Sequence, residues 1–90
     1  MKASLIIPTL NEAEVLKKTL ALVPRNVLHE IIVVDGHSQD DTREIAKRLG
    51  CVVYLQPRRG YGDAVRFGVA KAKGDVVIFM DADGSQDPKA

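Results

Sequence analysis

Apolar residues along this chain fall into four short continuous runs, separated by stretches where they recur every three or four positions. Ala3–Pro8 (Ala-Ser-Leu-Ile-Ile-Pro) predicts a strand that Pro8 ends. A helix follows, with Asn11 as its N-cap and Glu14 completing a capping box. Its buried stripe is Val15, Leu16, Leu20 and Val23, and Pro24 stops it. Glu30–Val34 predicts a second strand, ending on Asp35. Gly36–Gln39 make a turn, and Ser38 or Asp40 caps a second helix that buries Ile45, Ala46 and Leu49 and closes at Gly50. Cys51–Leu55 predicts the third strand. After a basic, Gly-rich loop, a helix from about Asp63 to Lys73 buries Val65, Val69 and Ala72. Gly68 inside it costs about 1 kcal/mol against Ala, which implies close approach to a neighbouring backbone. Val76–Met80 predicts the fourth strand, apolar on both faces as in a parallel sheet. The βαβαβαβ order predicts an α/β fold: a three-layer, Rossmann-like parallel sheet of order 3-2-1-4.

Composition narrows the function. Ninety residues hold one small domain, 46% hydrophobic and 28% charged, as in soluble globular proteins. A net charge of +1 gives no reason to expect nucleic acid, and with two Tyr, two Phe and no Trp there is no base-stacking platform. The single Cys51, inside an apolar run, reads as a small core residue in a reducing compartment. With no membrane-length apolar run and no signal-peptide pattern, a cytoplasmic location is the expectation. The fourth strand leaves one hydrophobic edge unpaired. That predicts either a missing segment, making residues 1–90 the N-terminal half of a larger fold, or a homo-oligomer paired through the edge.

The chemistry gathers where strands end. Val76–Met80 delivers Asp81 and Asp83 one residue apart, where ligands of open α/β sheets bind. Alternation turns both carboxylates the same way, and such a pair suits Mg²⁺ or Mn²⁺; the plainer alternative is a solvated turn. Pro8–Glu12 and Asp35–Ser38 end on the same rim, a set suited to a nucleotide whose pyrophosphate a metal bridges. Arg58 and Arg59 add cationic donors near a helix start. Three familiar sites are excluded. Gly60 and Gly62 precede the third helix rather than the first, no Gly-Lys-Ser/Thr occurs, and Gly84 comes too early for an EF-hand.

Four segments carry a resemblance. Ile7–Glu12 (Ile-Pro-Thr-Leu-Asn-Glu), Val33–Thr42, Arg59–Ala64 and Phe79–Gly84 (Phe-Met-Asp-Ala-Asp-Gly) are similar to family-two glycosyltransferases, with dolichyl- and polyprenyl-phosphate mannose and glucose synthases as the nearest branch. The resemblance implies the GT-A fold, this chain being its nucleotide-sugar-binding half. It implies that Pro8, Leu10, Glu12, Asp35, Arg59 and Asp81 bind the nucleotide, Asp35 recognising the base, and that Asp81 and Asp83 form a DxD motif holding Mg²⁺ or Mn²⁺. The implied activity is inverting transfer of a sugar from a GDP- or UDP-sugar to an acceptor such as a polyprenyl phosphate at the membrane surface. The general base would come from a half not present here. Two departures stand out: Gly36 replaces a second Asp, and Ser85 stands where close relatives use a metal-ligating Gln.

Two other functions compete. Asp81–Ser85 imitates the Asp-x-Asp-Gly-Thr opening of haloacid-dehalogenase-like phosphatases, with Asp81 as nucleophile and Asp83 as acid/base. The third reading is a non-catalytic nucleotide-binding fragment.

Overall fold

Four parallel strands line up in the order β3-β2-β1-β4. They are β1 (Ala3–Thr9), β2 (Glu30–Asp35), β3 (Val52–Leu55) and β4 (Val76–Phe79), joined by helices α1 (Ala13–Leu22), α2 (Thr42–Arg48) and α3 (Tyr61–Lys71). The structure is a computed structural model that describes residues 2–57 and 61–82. Strand order and flanking helices match the expectation, because each apolar run is bounded by turn residues and each crossover helix returns the chain in the same direction.

The central strands carry the core. Leu5 and Ile7 on one face of β1 join Leu16 and Leu20 of α1, Ile31 and Val33 of β2, Ala46 and Cys51. Ile6, Ile32 and Val34 on the other face join Ala64 of α3, with Tyr54, Phe67 and Phe79 packed at the margin. Burying each of these aliphatic side chains is worth about 1.5–3 kcal/mol. At the amino rim, Ser4 Oγ donates to Glu30 Oε2 (2.6 Å), and the same oxygen accepts the Lys73 N–H (2.6 Å). Burial alone would raise the Glu30 carboxyl, but these bonds and the neighbouring cations His29 and Lys73 hold it below its ordinary value. The α3–β4 connection is thereby tied to the start of the sheet. At the open edge of β4, Val76 and Ile78 remain 38% and 43% exposed.

Several local expectations are corrected. Strand β1 continues through Pro8 to Thr9. Helix α1 starts at Ala13, and Asn11 is not its cap but a left-handed residue with φ 52°. Val15 lies outside the buried stripe, which is Ala13, Leu16, Thr19 and Leu20. Neither Ser38 nor Asp40 is the cap residue of α2, which is Asp41. Helix α3 is rotated from its expected phase. Val69 is exposed, and the small residues Ala64 and Gly68 face the sheet instead. A Cβ on Gly68 would stand 2.5 Å from Ile6 Cγ2, so the close approach is to a side chain of β1, not to a backbone. At the end of α2, Gly50 takes the left-handed conformation (φ 85°) expected of a closing glycine.

That contact generates a stability prediction. Gly68→Ala should cost about 1–3 kcal/mol by overpacking against Ile6, measured by urea denaturation. Combined with Ile6→Ala, the loss should be smaller than the sum of the two single losses. Additive losses would show that the two positions do not meet.

Candidate functional site: the carboxyl rim of the sheet

All four strands run in one direction, so their carboxyl ends share one rim. The rim opens between β1 and β4, and the cause is a proline. Alternate residues of β1 turn their backbone groups toward β4: Lys2 accepts from Asp75 and Val76, and Ile6 accepts from Met80 (3.1 Å). Pro8 is next in that series and has no N–H to give. The β1–β4 ladder therefore stops at the pair Ile6–Phe79. Toward β2 the odd-numbered residues serve, so that ladder runs on to Thr9–Asp35, and the Gly36 N–H reaches Thr9 O (2.8 Å). One side of β1 stays zipped while the other parts. The parting falls at the switch point of the 3-2-1-4 order, where ligands of such sheets sit.

Asp35 holds the zipped side together. Its side chain is 0% exposed. Oδ1 accepts from Thr9 Oγ1 (2.7 Å) and Ser38 Oγ (2.6 Å). Oδ2 accepts from the Ser38 N–H (2.7 Å) and the Arg43 guanidinium (2.7 Å). Burial alone would push this carboxyl up. The hydrogen bonds from Ser38, Thr9 and Arg43 outweigh it and hold the group below its ordinary range. Sequence reasoning missed Thr9 and Arg43 as partners. Only the Asp-x-x-Ser spacing of Asp35 and Ser38 carried a local signal, that of an Asp whose side chain takes up nearby N–H groups in a turn.

From this hub the β1–α1 loop is hung. The Asn11 N–H donates to Ser38 Oγ (2.7 Å), and Asn11 Oδ1 accepts the Gln39 N–H (2.7 Å). The Glu12 N–H donates to Thr42 Oγ1 (2.9 Å), and Asp40 accepts from the hydroxyl and N–H of Thr42 and from the Ala13 N–H. Those bonds, the Thr42 hydroxyl first, hold the Asp40 carboxyl below its ordinary value. The Glu12 and Ala13 N–H groups at the start of α1 are thus satisfied across space by Thr42 and Asp40 rather than by a local cap.

The expected site residues fall around this rim. Pro8 is half-buried at the parting, Leu10 is 54% exposed beside Gly36, and half-buried Glu12 accepts the Leu10 N–H (3.0 Å). Continuing the β1–β4 register by two residues sets Asp81 level with Pro8. Asp81 is half-exposed and bonds to no other described residue, whereas Ala82 is buried in the core cluster on the α1 face of the sheet. Asp81 and Asp35 thus flank β1, about two strand spacings (~10 Å) apart. Arg59 and Asp83 lie outside the described residues. Among the described residues no group of three or more His, Cys, Asp or Glu side chains could hold a metal. The Asp81 carboxylate, a hard oxygen donor with no other described partner, fits a Mg²⁺- or Mn²⁺-class ion as one ligand of a set.

A parallel sheet of this order, with its switch point between β1 and β4, defines a Rossmann-like α/β domain. Residues 4–90 match Glycosyl transferase family 2, and the chain belongs to that family. It is 44% identical over 84 residues to an uncharacterised glycosyltransferase of Mycobacterium tuberculosis, covering 93% of this chain and 38% of that protein. It is 37% identical over 97 residues to a dolichol-phosphate mannosyltransferase of Pyrococcus furiosus, covering 99% of this chain and 28% of that one. Among solved structures it is similar to glucosyl-3-phosphoglycerate synthase of M. tuberculosis in complex with Mn²⁺, UDP and glucosyl-3-phosphoglycerate. The TM-score is 0.82 at 28% identity, over 90% of this chain and 33% of that chain. The chain therefore spans about a third of the length of these relatives. The sheet matches the GT-A fold of such neighbours, and the family match leaves the phosphatase alternative without support.

The Asp35 hub has a pH signature. A carboxyl held low in the folded state stabilises the protein above its unfolded pKa and loses that contribution as pH falls through the folded value. Stability should therefore begin to fall near pH 4, the unfolded aspartate value, and keep falling below it. Asp35→Ala should cost about 3 kcal/mol at pH 7 by stranding Arg43, Thr9 and Ser38, measured by urea denaturation from pH 3 to 7. A loss below 0.5 kcal/mol, in the range of ordinary surface substitutions, would contradict the hub.

Proposed function

We propose that this domain binds the nucleoside diphosphate of a sugar donor, and that the whole protein transfers the sugar, with inversion, to an acceptor bearing a phosphate. The observation that carries this reading is the Asp81 carboxylate, without a partner among the described residues and level with Pro8, where the β1–β4 ladder ends. A bound Mg²⁺ or Mn²⁺ would supply Lewis acidity to the departing diphosphate. Asp81 and Asp83 are the residues that would hold it, and a Mn²⁺–UDP complex of a structural relative supports the choice of cation. Pro8, Leu10 and Glu12 line the crevice, and Arg59 contributes charge toward the phosphates. Asp35, with all its acceptor positions filled, acts on the base end by fixing the backbone of Gly36 and His37.

Two relatives support a phosphorylated acceptor. One is named for dolichol phosphate, and the other was crystallised with glucosyl-3-phosphoglycerate. A polyprenyl phosphate would place the protein at the cytoplasmic face of a membrane as a peripheral enzyme. No helix among the described residues is long and apolar enough to cross one.

Titration calorimetry with UDP and GDP, with and without Mn²⁺, tests the donor site. Binding should tighten with Mn²⁺, and Asp81→Ala should remove that gain, a loss of at least about tenfold. Equal affinity with and without metal in the parent protein would overturn the reading. For the acceptor, transfer from UDP-glucose or GDP-mannose to 3-phosphoglycerate or to a polyprenyl phosphate is expected, and activity only on unphosphorylated acceptors would contradict it.

A further inference from the structure

The loop from β2 to α2 turns an imidazole ring toward the end of β3. His37 holds a left-handed backbone (φ 72°), a conformation uncommon for residues with a Cβ. Glycine adopts it readily, so a ring at this position calls for a reason. The ring turns back to the end of β3, where Nε2 lies 2.8 Å from Gln56 O. A carbonyl can only accept, so Nε2 carries the hydrogen. In the neutral ring Nδ1 is then a bare acceptor, and it has no partner among the described residues. His37 is exposed.

Its position suits one end of a nucleotide. The carboxyl ends of β1, β2 and β3 close around Gly36. A Cβ there would stand 3.4 Å from both Gln56 Oε1 and Thr9 O, and 3.9 Å from Leu10 Cδ1. The Gln56 N–H binds Asp35 O (2.7 Å), which keeps the three ends level. With a diphosphate at Asp81 beside β4, three strand spacings lead about 14 Å across the rim to β3. A nucleoside laid along that line brings its base over Gly36 and His37. Asp35 has no exposed surface to meet the base, and Gly36 has no side chain.

We propose that His37 is a specificity-determining residue. Its Nδ1 accepts the ring N–H of a lactam base, N3–H of uracil or N1–H of guanine, and disfavours cytosine and adenine, whose matching nitrogen is itself an acceptor. This rests on the donor-site reading above. Left-handed backbone suits Gly and Asn, so His37→Gly and His37→Asn keep the loop conformation while removing the ring.

The test measures calorimetric affinities of the full chain for UDP, CDP, GDP, ADP and pyrophosphate, each with Mn²⁺. The parent protein should prefer UDP over CDP, or GDP over ADP, by about tenfold or more. Both variants should bring that ratio to within about twofold, with Mn²⁺–pyrophosphate affinity and Tm unchanged. A preference that survives in both variants, or is absent from the parent, overturns the assignment of His37 alone. A parent protein that binds neither nucleotides nor pyrophosphate overturns the donor-site reading and this inference with it.

Discussion

A carboxylate with no exposed surface is costly to bury unless donors surround it, and Asp35 has four of them. They come from three different places: Thr9 at the end of β1, Ser38 in the following loop, and Arg43 in the first turn of α2. Arg43, 39% exposed, brings the countercharge from the solvent side. Each bond alone is modest, but removing the acceptor would strand all four donors at once. The cluster therefore sets where the β2–α2 loop lies. Through Ser38 and Thr42 it also sets where the β1–α1 loop lies. Two loops that are short and irregular in sequence are thus cross-linked to each other by hydrogen bonds.

The opposite side of β1 shows the complementary constraint. There a hydrogen bond is missing by covalent necessity, because Pro8 has no N–H. Pairing toward β2 survives because it uses the other backbone alternation, and pairing toward β4 stops. A closed ladder and an open one on either side of a single strand produce a crevice with one fixed wall. Asp81 follows the last paired residues of β4, and Ala82 beside it is buried in the core cluster and anchors the chain there. The carboxyl rim of this glycosyltransferase-family domain is thus shaped by a proline, a buried acid and an alanine as much as by the exposed acid.

Element order, parallel direction and strand order were readable in the sequence because each depends on local apolar runs and on the handedness of crossovers. The positions of Asp35, Asp81 and Leu10 at strand ends were readable too, since the strands place them there whatever the loops do. What was hidden is non-local. Asn11 has every local mark of an N-cap, yet the donors it would have satisfied are taken by Thr42 and Asp40 from about thirty residues away. The phase of α3 was misread because Val65 and Val69 carry more hydrophobicity than Ala64 and Gly68, while the fit against Ile6 selects the smaller residues. Asp35 was readable as important. That it faces inward was not, because Thr9 and Arg43 carry no pattern linking them to it.

The carboxyl rim of the sheet, from β4 to β3, is the proposed seat of a metal-bound nucleoside diphosphate, and paramagnetic broadening of backbone amide signals by Mn²⁺ in the presence of UDP or GDP locates it. Leu10, Gly36 and Asp81 at the carboxyl rim should broaden, with Asp81 the most affected, while Ser4, Glu30 and Gly74 at the amino rim stay sharp. Broadening centred on the amino rim, or spread evenly over both, would contradict that placement.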